Sequence, residues 1–242
     1  IVIANPPYIR VQNIEKSAKE TYTDNYKAAV ANYDIYVLFD ELAVSLLRDG
    51  GYLAFIQPNK FFSSDYGIGI RKLLGENKFV NKIVDFGASQ MFDTATTYTC
   101  LLFCHKFDNE NFDYVSFKDN KITTSFLDYT YGIQNDQVNL INLQSSYLSE
   151  TGWFFGTHEE IKLYEELESN SSPLEIYANT TFQGVVTSAD TIYILEQRDK
   201  GFYSKSLKKI VDIEKGFLKP LLKGSNITRY TNTKNAYWLI FP

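Results

Sequence analysis

Short apolar runs that end at prolines constrain the fold of this chain more than any other feature. Residues 1–4 form such a run before Pro6 and Pro7, and residues 52–56 form a second one before Pro58. Proline has no backbone N–H and cannot continue a central strand, so both runs predict short strands buried on both faces. Between them, apolar side chains at helical spacing predict a helix that begins at Ile35. Strand, helix and strand in this order predict an α/β fold with a mostly parallel sheet.

Later segments continue this alternation. Asp34 is expected to cap the first helix, and a weaker helix is predicted over residues 65–74. Strands are predicted over residues 79–86 and 98–107. Too few residues separate them for a parallel crossover, so they should pair antiparallel. Residues 11–32 are polar and without periodicity, which predicts a loop.

The last third of the chain has a different pattern. Thr157 and Glu160 form a capping box that predicts the start of a helix. The polar run 170–173 predicts a linker, with a domain boundary near residue 170. Short strand patterns follow at residues 192–195 and 237–241. The sequence therefore predicts a second domain that is mainly β.

Composition excludes several classes of protein. The 242 residues are 44% hydrophobic and 22% charged, which is typical of globular domains. No apolar run reaches the roughly 18 residues of a membrane helix, and no signal peptide is recognisable. Cys100 and Cys104 are too few for a disulfide framework, which favours a reducing cytoplasm and packing of both in the core. His105 and His158 lack a second ligand at metal spacing, so no metal site is predicted.

Charge is unevenly distributed along the chain. Residues 196–242 hold 10 Lys and Arg against 4 Asp and Glu, whereas residues 1–195 hold 14 against 25. A basic segment attached to an acidic body is consistent with a surface for a polyanion. A solvated surface without a partner explains the same pattern equally well.

The sequence Asn5-Pro6-Pro7-Tyr8 directly follows the first predicted strand. An exocyclic amine on a base is a weak nucleophile, and two acceptors that hold its N–H groups favour attack by its nitrogen. The Asn5 side chain and the Pro6 backbone would supply two carbonyl oxygens on a loop that the prolines stiffen. Tyr8 would offer a flat face to a base outside its duplex stack. The motif therefore indicates methylation of an amino group.

This tetrapeptide resembles the catalytic motif of S-adenosylmethionine-dependent amino-methyltransferases, above all DNA adenine-N6 methyltransferases. The same four residues occur in glutamine-N5 methyltransferases of release factors, so the motif alone leaves the substrate open. Residues 32–36 and 47–61 resemble the helix, strand and loop that follow the motif in TaqI-type adenine methyltransferases. Residues 84–93 and the strand after them resemble the final hairpin of that family. The resemblance implies that Phe92 stacks on the flipped adenine, opposite Tyr8.

Residues 173–187 and 216–230 resemble the start of the TaqI-type target-recognition domain, as found in fused type IIG restriction–modification enzymes. This resemblance implies double-stranded DNA as the partner. The basic side chains that would contact phosphate in this domain are Lys219, Lys223 and Arg229. Candidate DNA contacts beside the catalytic motif are Arg10, Asn59 and Lys60.

The beginning of the chain departs from this family. Relatives place a glycine-rich turn and an acidic ribose contact for S-adenosylmethionine before the catalytic motif, and neither is present here. We therefore expect most of the cofactor pocket to lie upstream of Ile1 and this segment to be inactive alone. The missing N-terminal half of the polypeptide, or another chain, is expected to cover the edge formed by residues 1–4.

These expectations divide the chain into three segments. Residues 1–128 would be the C-terminal half of a Rossmann-like, S-adenosylmethionine-dependent methyltransferase domain. Residues 129–170 would connect it to a partial target-recognition domain over residues 171–242. The predicted activity is cytoplasmic, site-specific methylation of adenine N6 by a restriction–modification enzyme. The alternatives are a protein-glutamine or RNA amino-methyltransferase and a non-catalytic DNA-specificity module.

Overall fold

The chain folds into two compact units, Ile1–Ser171 and Ser172–Pro242. The computed structural model describes residues 1–92, 97–118, 122–180, 184–230 and 236–241. Across these ranges, no helix combines the length and the apolar character needed to cross a membrane.

The first unit is a mixed sheet with helices packed against it. Its strands are β1 (Val2–Ala4), β2 (Tyr52–Pro58), β3 (Val80–Gln90), β4 (Tyr98–His105), β5 (Asn111–Phe117) and β6 (Val138–Gln144). Its helices are α1 (Lys16–Asn25), α2 (Tyr36–Leu46), α3 (Ile68–Glu76), α4 (Ile122–Thr130) and α5 (His158–Asn170). The α/β class predicted from the sequence is confirmed.

The six strands lie in the order β1-β2-β4-β3-β5-β6. β1 pairs parallel with β2, and β3 pairs parallel with β5. The other neighbours are antiparallel, including β3 and β4, as their short connection predicts. The expectation of a mostly parallel sheet is therefore wrong, because β4 inserts between β2 and β3 in the opposite direction.

The two faces of this sheet are covered by different helices, because successive side chains of a strand point to opposite faces. One face buries Phe55, Ile83 and Leu102 together with residues of α2 and α3. The other buries Val84 and Val115 with residues of α4. Cys100 and Cys104 are buried free thiols in the first core, as expected.

Two local predictions on the connection between β1 and α2 are wrong. The segment predicted as a loop contains α1, which buries none of its residues and therefore shows no apolar stripe in the sequence. Asp34 does not cap α2, which begins after Ile35 without a side-chain cap. Asp34 instead forms an isolated antiparallel bridge with Arg10.

The start of α5 agrees with the sequence. The Thr157 hydroxyl accepts a hydrogen bond from the Glu160 N–H at 3.3 Å, and the Glu160 carboxylate accepts one from the Thr157 N–H at 2.7 Å. The predicted capping box is confirmed. β6 lies within residues 129–170 and pairs with β5, so it extends the sheet, and the rest of this segment up to residue 170 is also part of the first unit.

The second unit contains a helix α6 (Asp190–Tyr193) and an antiparallel sheet. Its strands are β7 (Ile194–Arg198), β8 (Gly201–Ser204), β9 (Lys209–Val211), β10 (Leu218–Leu221) and β11 (Tyr237–Ile240). They lie in the order β10-β11-β7-β8-β9, with every neighbouring pair antiparallel. The mainly β character predicted for this part is confirmed, although residues 190–193 form a turn of helix before the strand.

Candidate active site

The loop after β1 leaves the sheet beside the end of β2. Ala4 is in register with Phe55 in the parallel pair, so Asn5 and Asn59 follow their strands at the same edge of the sheet. Asn5 is exposed, whereas Pro6 is buried. The Asn5 side chain is therefore available to a ligand at the carboxyl end of the strand, where sites of α/β sheets form.

Three hydrogen bonds fix the position of this loop. The Tyr8 hydroxyl donates to the backbone carbonyl of Ile56 at 3.0 Å. The backbone N–H of Val11 donates to Tyr33 at 2.9 Å, and that of Ile35 donates to Ile9 at 2.9 Å. The motif is thus tied both to β2 and to the start of α2.

Tyr8 is an uncharged ring at physiological pH. Burial raises its pKa to about 12, and the nearby Cys100 sulfur adds to this effect. The ring packs edge-on against Tyr36, with centroids 6.3 Å apart and planes at 78°. Tyr8 can therefore offer an aromatic surface but not a base.

A cavity of about 690 Å³ opens next to this loop. Ligand cavities of roughly 300–1,000 Å³ are typical of small-molecule and cofactor sites. Half of the described residues in its wall are aromatic, namely Tyr8, Phe62, Tyr66, Tyr98, Tyr114, Trp153, Phe154 and Phe155. Polar side chains in the wall include Arg10, Asp34, Asn59, Lys60 and Asp85. The structure thus brings Tyr8 together with three of the predicted DNA contacts.

One end of the cavity carries charge of both signs. Arg10 and Lys60 are exposed, and Asp34 lies near both. Burial raises the pKa of the Asp34 carboxyl, and the positive charges of Arg10 and Lys60 oppose this rise. Arg10 and Lys60 are exposed cations at the cavity that can contact an anionic ligand such as a phosphate.

Another part of the cavity wall was not predicted from the sequence. Phe155 stacks on Tyr114 with ring centroids 4.4 Å apart, and the backbone N–H of Trp153 donates to the backbone carbonyl of Phe62 at 2.7 Å. Phe154 is partly exposed and stacks on Tyr164 of α5 at 4.9 Å. The segment 151–157 has no periodicity, so no local signal marked it as part of a site.

Phe92 is not among the described residues that line this cavity. It is half-buried, and the four residues after it, 93–96, lie outside the described part of the chain. Stacking of a base between Tyr8 and Phe92 therefore stays a prediction. The same holds for the catalytic role of Asn5, Pro6, Pro7 and Tyr8.

The predicted phosphate contacts of the second unit differ in their surroundings. Lys219 is exposed on β10. The Lys223 ammonium lies 3.8 Å from an Asp190 carboxylate oxygen and 5.1 Å from the centroid of Tyr237. Arg229 lies 5.2 Å over the ring of Tyr230. Among the described residues, Lys219 thus has the fewest competing contacts of the three.

Gly67 and Gly69 do not form a glycine-rich turn that leaves room for a bound ligand. A Cβ atom at Gly67 would overlap the backbone carbonyl of Phe61, and one at Gly69 would lie 2.7 Å from the Cα atom of Ala28. Both glycines allow close packing within the protein. Within the described ranges, no three His, Cys, Asp or Glu side chains group in a way that would hold a metal ion.

Comparison with known proteins gives a consistent class. Residues 1–92 match the model of the Eco57I restriction-modification methylase family. The type II restriction enzyme and methyltransferase RM.Eco57I of Escherichia coli is 40% identical over 124 residues, which are 50% of this chain and 12% of that protein. The type II methyltransferase M.BstVI of Geobacillus stearothermophilus is 26% identical over 243 aligned positions, which cover 94% of this chain and 41% of that protein.

Among solved structures, that of the type IIG restriction endonuclease BpuSI is similar, with a TM-score of 0.48 and 17% identity. This match covers 79% of the present chain and 25% of that one. These sequence relatives are restriction–modification methyltransferases, and the chain spans less than half of the length of each. Residues 1–92, which carry the loop after β1, are the part of the chain that is similar to the Eco57I restriction-modification methylase family.

Proposed function

We propose that this chain is part of a DNA adenine-N6 methyltransferase in a type IIG restriction–modification enzyme, and that it binds the adenine that accepts the methyl group. The observation that supports this proposal most is the exposed Asn5 on a tethered Asn-Pro-Pro-Tyr loop beside an aromatic cavity. An adenine flipped out of duplex DNA would enter this cavity, with its rings against Tyr8. Such an enzyme acts on cellular DNA, which agrees with a cytoplasmic location.

The roles of the loop follow from its chemistry. The Asn5 side chain and the Pro6 backbone each offer a carbonyl oxygen to an N–H of the exocyclic amine. Two such acceptors favour a tetrahedral nitrogen with an available lone pair. The amine becomes more acidic once it has gained the methyl group, so it needs no strong base beforehand. Tyr8 stays protonated and cannot act as that base.

The residues of this chain fit the binding of the base that accepts the methyl group. Asn5 is a neutral acceptor, and the aromatic wall matches a planar ring. S-adenosylmethionine supplies an electrophilic methyl group when it is bound. Asn5 lies on the loop after β1, which is an edge strand of the sheet. A methyl donor bound beside this edge would lie near the loop.

DNA as the macromolecular substrate is supported by charge. Arg10 and Lys60 lie at the cavity, and Lys219 is exposed in the basic second unit. Contacts of these cations to phosphate would add affinity without base specificity. Phe92 is not among the described residues that line the cavity. The proposal keeps it only as a second candidate for stacking on the flipped base.

The test is methyl transfer from S-adenosylmethionine to duplex DNA by the full-length natural protein, with the product identified by mass spectrometry. We expect N6-methyladenine, and Asn5→Ala should lower kcat at least about 100-fold, as for other pre-organised polar groups. Asn142→Ala is the matched control, because Asn142 is exposed and hydrogen-bonded to Asp113 away from the cavity.

Equal modification by wild type and Asn5→Ala would remove Asn5 from the mechanism. Transfer to RNA or to protein glutamine, with none to DNA, would show that the substrate class is wrong. DNA binding without any transfer would instead support a specificity module that has lost catalysis.

A further inference from the structure

Helix α5 is almost free of contacts with the rest of the described chain. Ile161 is its one buried residue, and every residue from 162 to 170 is exposed. Isolated helices shorter than about 12–15 residues are marginal in water, and most helices in proteins are stabilised by packing of an apolar face. α5 has 13 residues. A helix of this length with one buried side chain therefore lacks the packing that usually stabilises it.

The exposed apolar side chains of α5 lie on one side of the helix. Leu163, Tyr164 and Leu167 are 56%, 44% and 60% exposed. With 3.6 residues per turn they fall within an arc of about 100°, whereas Ile161 lies about 160° from Leu163 around the helix. Phe154 is also exposed and stacks on Tyr164 with ring centroids 4.9 Å apart. We call the side chains of Phe154, Leu163, Tyr164 and Leu167 the α5 apolar surface.

Carboxylates border the α5 apolar surface on both sides. By helical spacing, Glu159 and Glu166 lie beside Leu163, and Glu168 lies beyond Tyr164. The Tyr164 hydroxyl donates to the Glu168 carboxylate at 3.3 Å. All three glutamates are exposed. Within the described ranges, no salt bridge reaches a glutamate of α5, so this negative charge is not neutralised by the chain itself.

This charge limits what can cover the α5 apolar surface. DNA and anionic membranes would be repelled by the bordering carboxylates. A second copy that placed its own α5 here would bring two acidic borders together, and like charges across an interface are unfavourable. An apolar stripe between rows of carboxylates is complementary to an apolar stripe between rows of Lys or Arg. An amphipathic helix of opposite charge is therefore the occupant that fits.

We infer that α5 is a docking site for a basic amphipathic helix of a partner protein. Apolar side chains of the partner pack on Leu163 and Leu167, and its Lys or Arg side chains pair with Glu166 and Glu168. The partner thereby supplies the packing that α5 lacks. The inference goes beyond methyl transfer and does not depend on the proposed function.

The experiment measures binding of a synthetic peptide to the full-length natural protein by fluorescence anisotropy. The peptide is about 18 residues long, with leucines on one face of its helix and lysines on the other. A scrambled peptide of the same composition measures attraction by charge alone, and we expect it to bind at least about tenfold more weakly. Leu163→Ala with Leu167→Ala should raise the Kd of the amphipathic peptide at least about tenfold, because alanine keeps the helix and removes the apolar contacts. Leu140→Ala with Leu207→Ala is the matched control, because these leucines are 57% and 60% exposed and lie outside α5.

A second pair of variants tests the charge. Glu166→Gln with Glu168→Gln should raise the Kd about three- to tenfold in low salt. The difference from wild type should disappear near 1 M salt, where the Debye length is about 3 Å. Glu165→Gln with Glu175→Gln removes the same charge away from the α5 apolar surface and is the control. These four substitutions change exposed side chains, so they test the inference even where the leucine variants fold poorly.

Hydrogen–deuterium exchange locates the bound peptide. We expect slower exchange of the α5 amides when the peptide binds to wild type, because a packed helix opens less often. Equal Kd values for the amphipathic and scrambled peptides would overturn the inference, as would leucine and glutamate variants that match their controls within about twofold. A wild-type protein whose α5 amides are already protected and which does not bind the peptide would overturn it as well. That result would mean that another part of the polypeptide or a second copy covers α5.

Discussion

Tyr8 combines a hydroxyl group that fixes the loop with a ring that faces the cavity. The hydroxyl bonds to Ile56, and the ring is part of the cavity wall. Tyr8→Phe should lower the free energy of unfolding by about 1 kcal/mol, the usual value of one hydrogen bond, and change methyl transfer only a few-fold. Tyr8→Ala should lower transfer by about 10- to 100-fold, because a base–aromatic stack contributes roughly 1–3 kcal/mol. Single-turnover kinetics on duplex DNA measure both effects.

The control for ring removal is Tyr131→Ala, since Tyr131 is highly exposed and lies outside the cavity. The pKa of Tyr8, about 12, also predicts that its ionisation adds no step to the rate between pH 6 and 10. A Tyr8→Phe variant as inactive as Tyr8→Ala would mean that the hydroxyl, rather than the ring, is required.

Asp40 is a fully buried acid in the core between α2 and the sheet. Its Oδ2 atom accepts a hydrogen bond from Gln57 Nε2 at 3.2 Å, while Asp40 Oδ1 and Gln57 Oε1 are buried with no partner in the described part of the chain. Burial raises the pKa of Asp40 well above its usual range, and the Gln57 hydrogen bond opposes this only in part. The fold therefore favours the protonated Asp40 carboxyl group. The O–H of this group is a candidate hydrogen-bond donor to Gln57 Oε1.

The raised pKa makes the stability contribution of Asp40 depend on pH. This contribution is fully present below the unfolded pKa of about 3.9 and is lost as pH rises toward the folded value. Asp40→Asn keeps the shape and cannot ionise. It should raise Tm at pH 8 by at least about 2 °C and give no gain near pH 4. Thermal unfolding of the intact protein at both pH values tests this, with the exposed Asp24→Asn as control; an equal gain at both values would contradict it.

At the scale of elements, apolar periodicity decided what the sequence could predict. The helical spacing of Ile35, Leu38, Phe39, Leu42 and Leu46 predicted α2, although only Leu38 of these is buried, whereas α1 buries none of its residues and was missed. The exit of β1 was predictable because the prolines that stop the strand also stiffen the loop. Trp153 and Phe155 were not, since they reach the cavity only through long-range packing against Phe62 and Tyr114.

Arg71 on α3 holds the loops behind the cavity wall. Its guanidinium donates to the backbone carbonyls of Phe61 at 2.6 Å, Ser64 at 2.8 Å and Glu150 at 3.0 Å. The side chain is almost completely buried. Arg71→Met would leave these carbonyls without their donors, and we expect a loss of about 3 kcal/mol in the free energy of unfolding.

Urea unfolding of the intact protein measures this loss, with Lys72→Met as the neighbouring control. Lys72 is exposed and lies 3.5 Å from Glu150, a contact worth at most about 1 kcal/mol. Similar losses in the two variants would mean that the buried hydrogen bonds of Arg71 add little. Because Phe61 and Ser64 belong to the segment that carries Asn59 and Lys60, Arg71→Met should also weaken DNA binding.

For the molecule as a whole, the sequence positions of the charged residues gave the uneven distribution of charge along the chain. The order of the strands in the sheet was not predicted. The order β1-β2-β4-β3-β5-β6 depends on which strands meet after chain reversal, and local patterns do not contain that information. The two units also differ in how much apolar surface they bury. Within the described ranges, the buried apolar side chains of the second unit are Ile194, Leu195, Leu218 and Leu239.

This difference predicts unequal local stability. β4 and β7 are both interior strands with a neighbour on each side, so their backbone amides are comparably hydrogen-bonded. β4 buries Cys100, Leu102 and Cys104 in a large core, whereas β7 buries only Ile194 and Leu195. Local opening requires less free energy where fewer apolar contacts are lost. Hydrogen–deuterium exchange of the intact protein should therefore be at least about tenfold faster for β7 than for β4, which corresponds to roughly 1.4 kcal/mol. Equal protection of the two strands would show that contacts beyond the small core of the second unit stabilise β7.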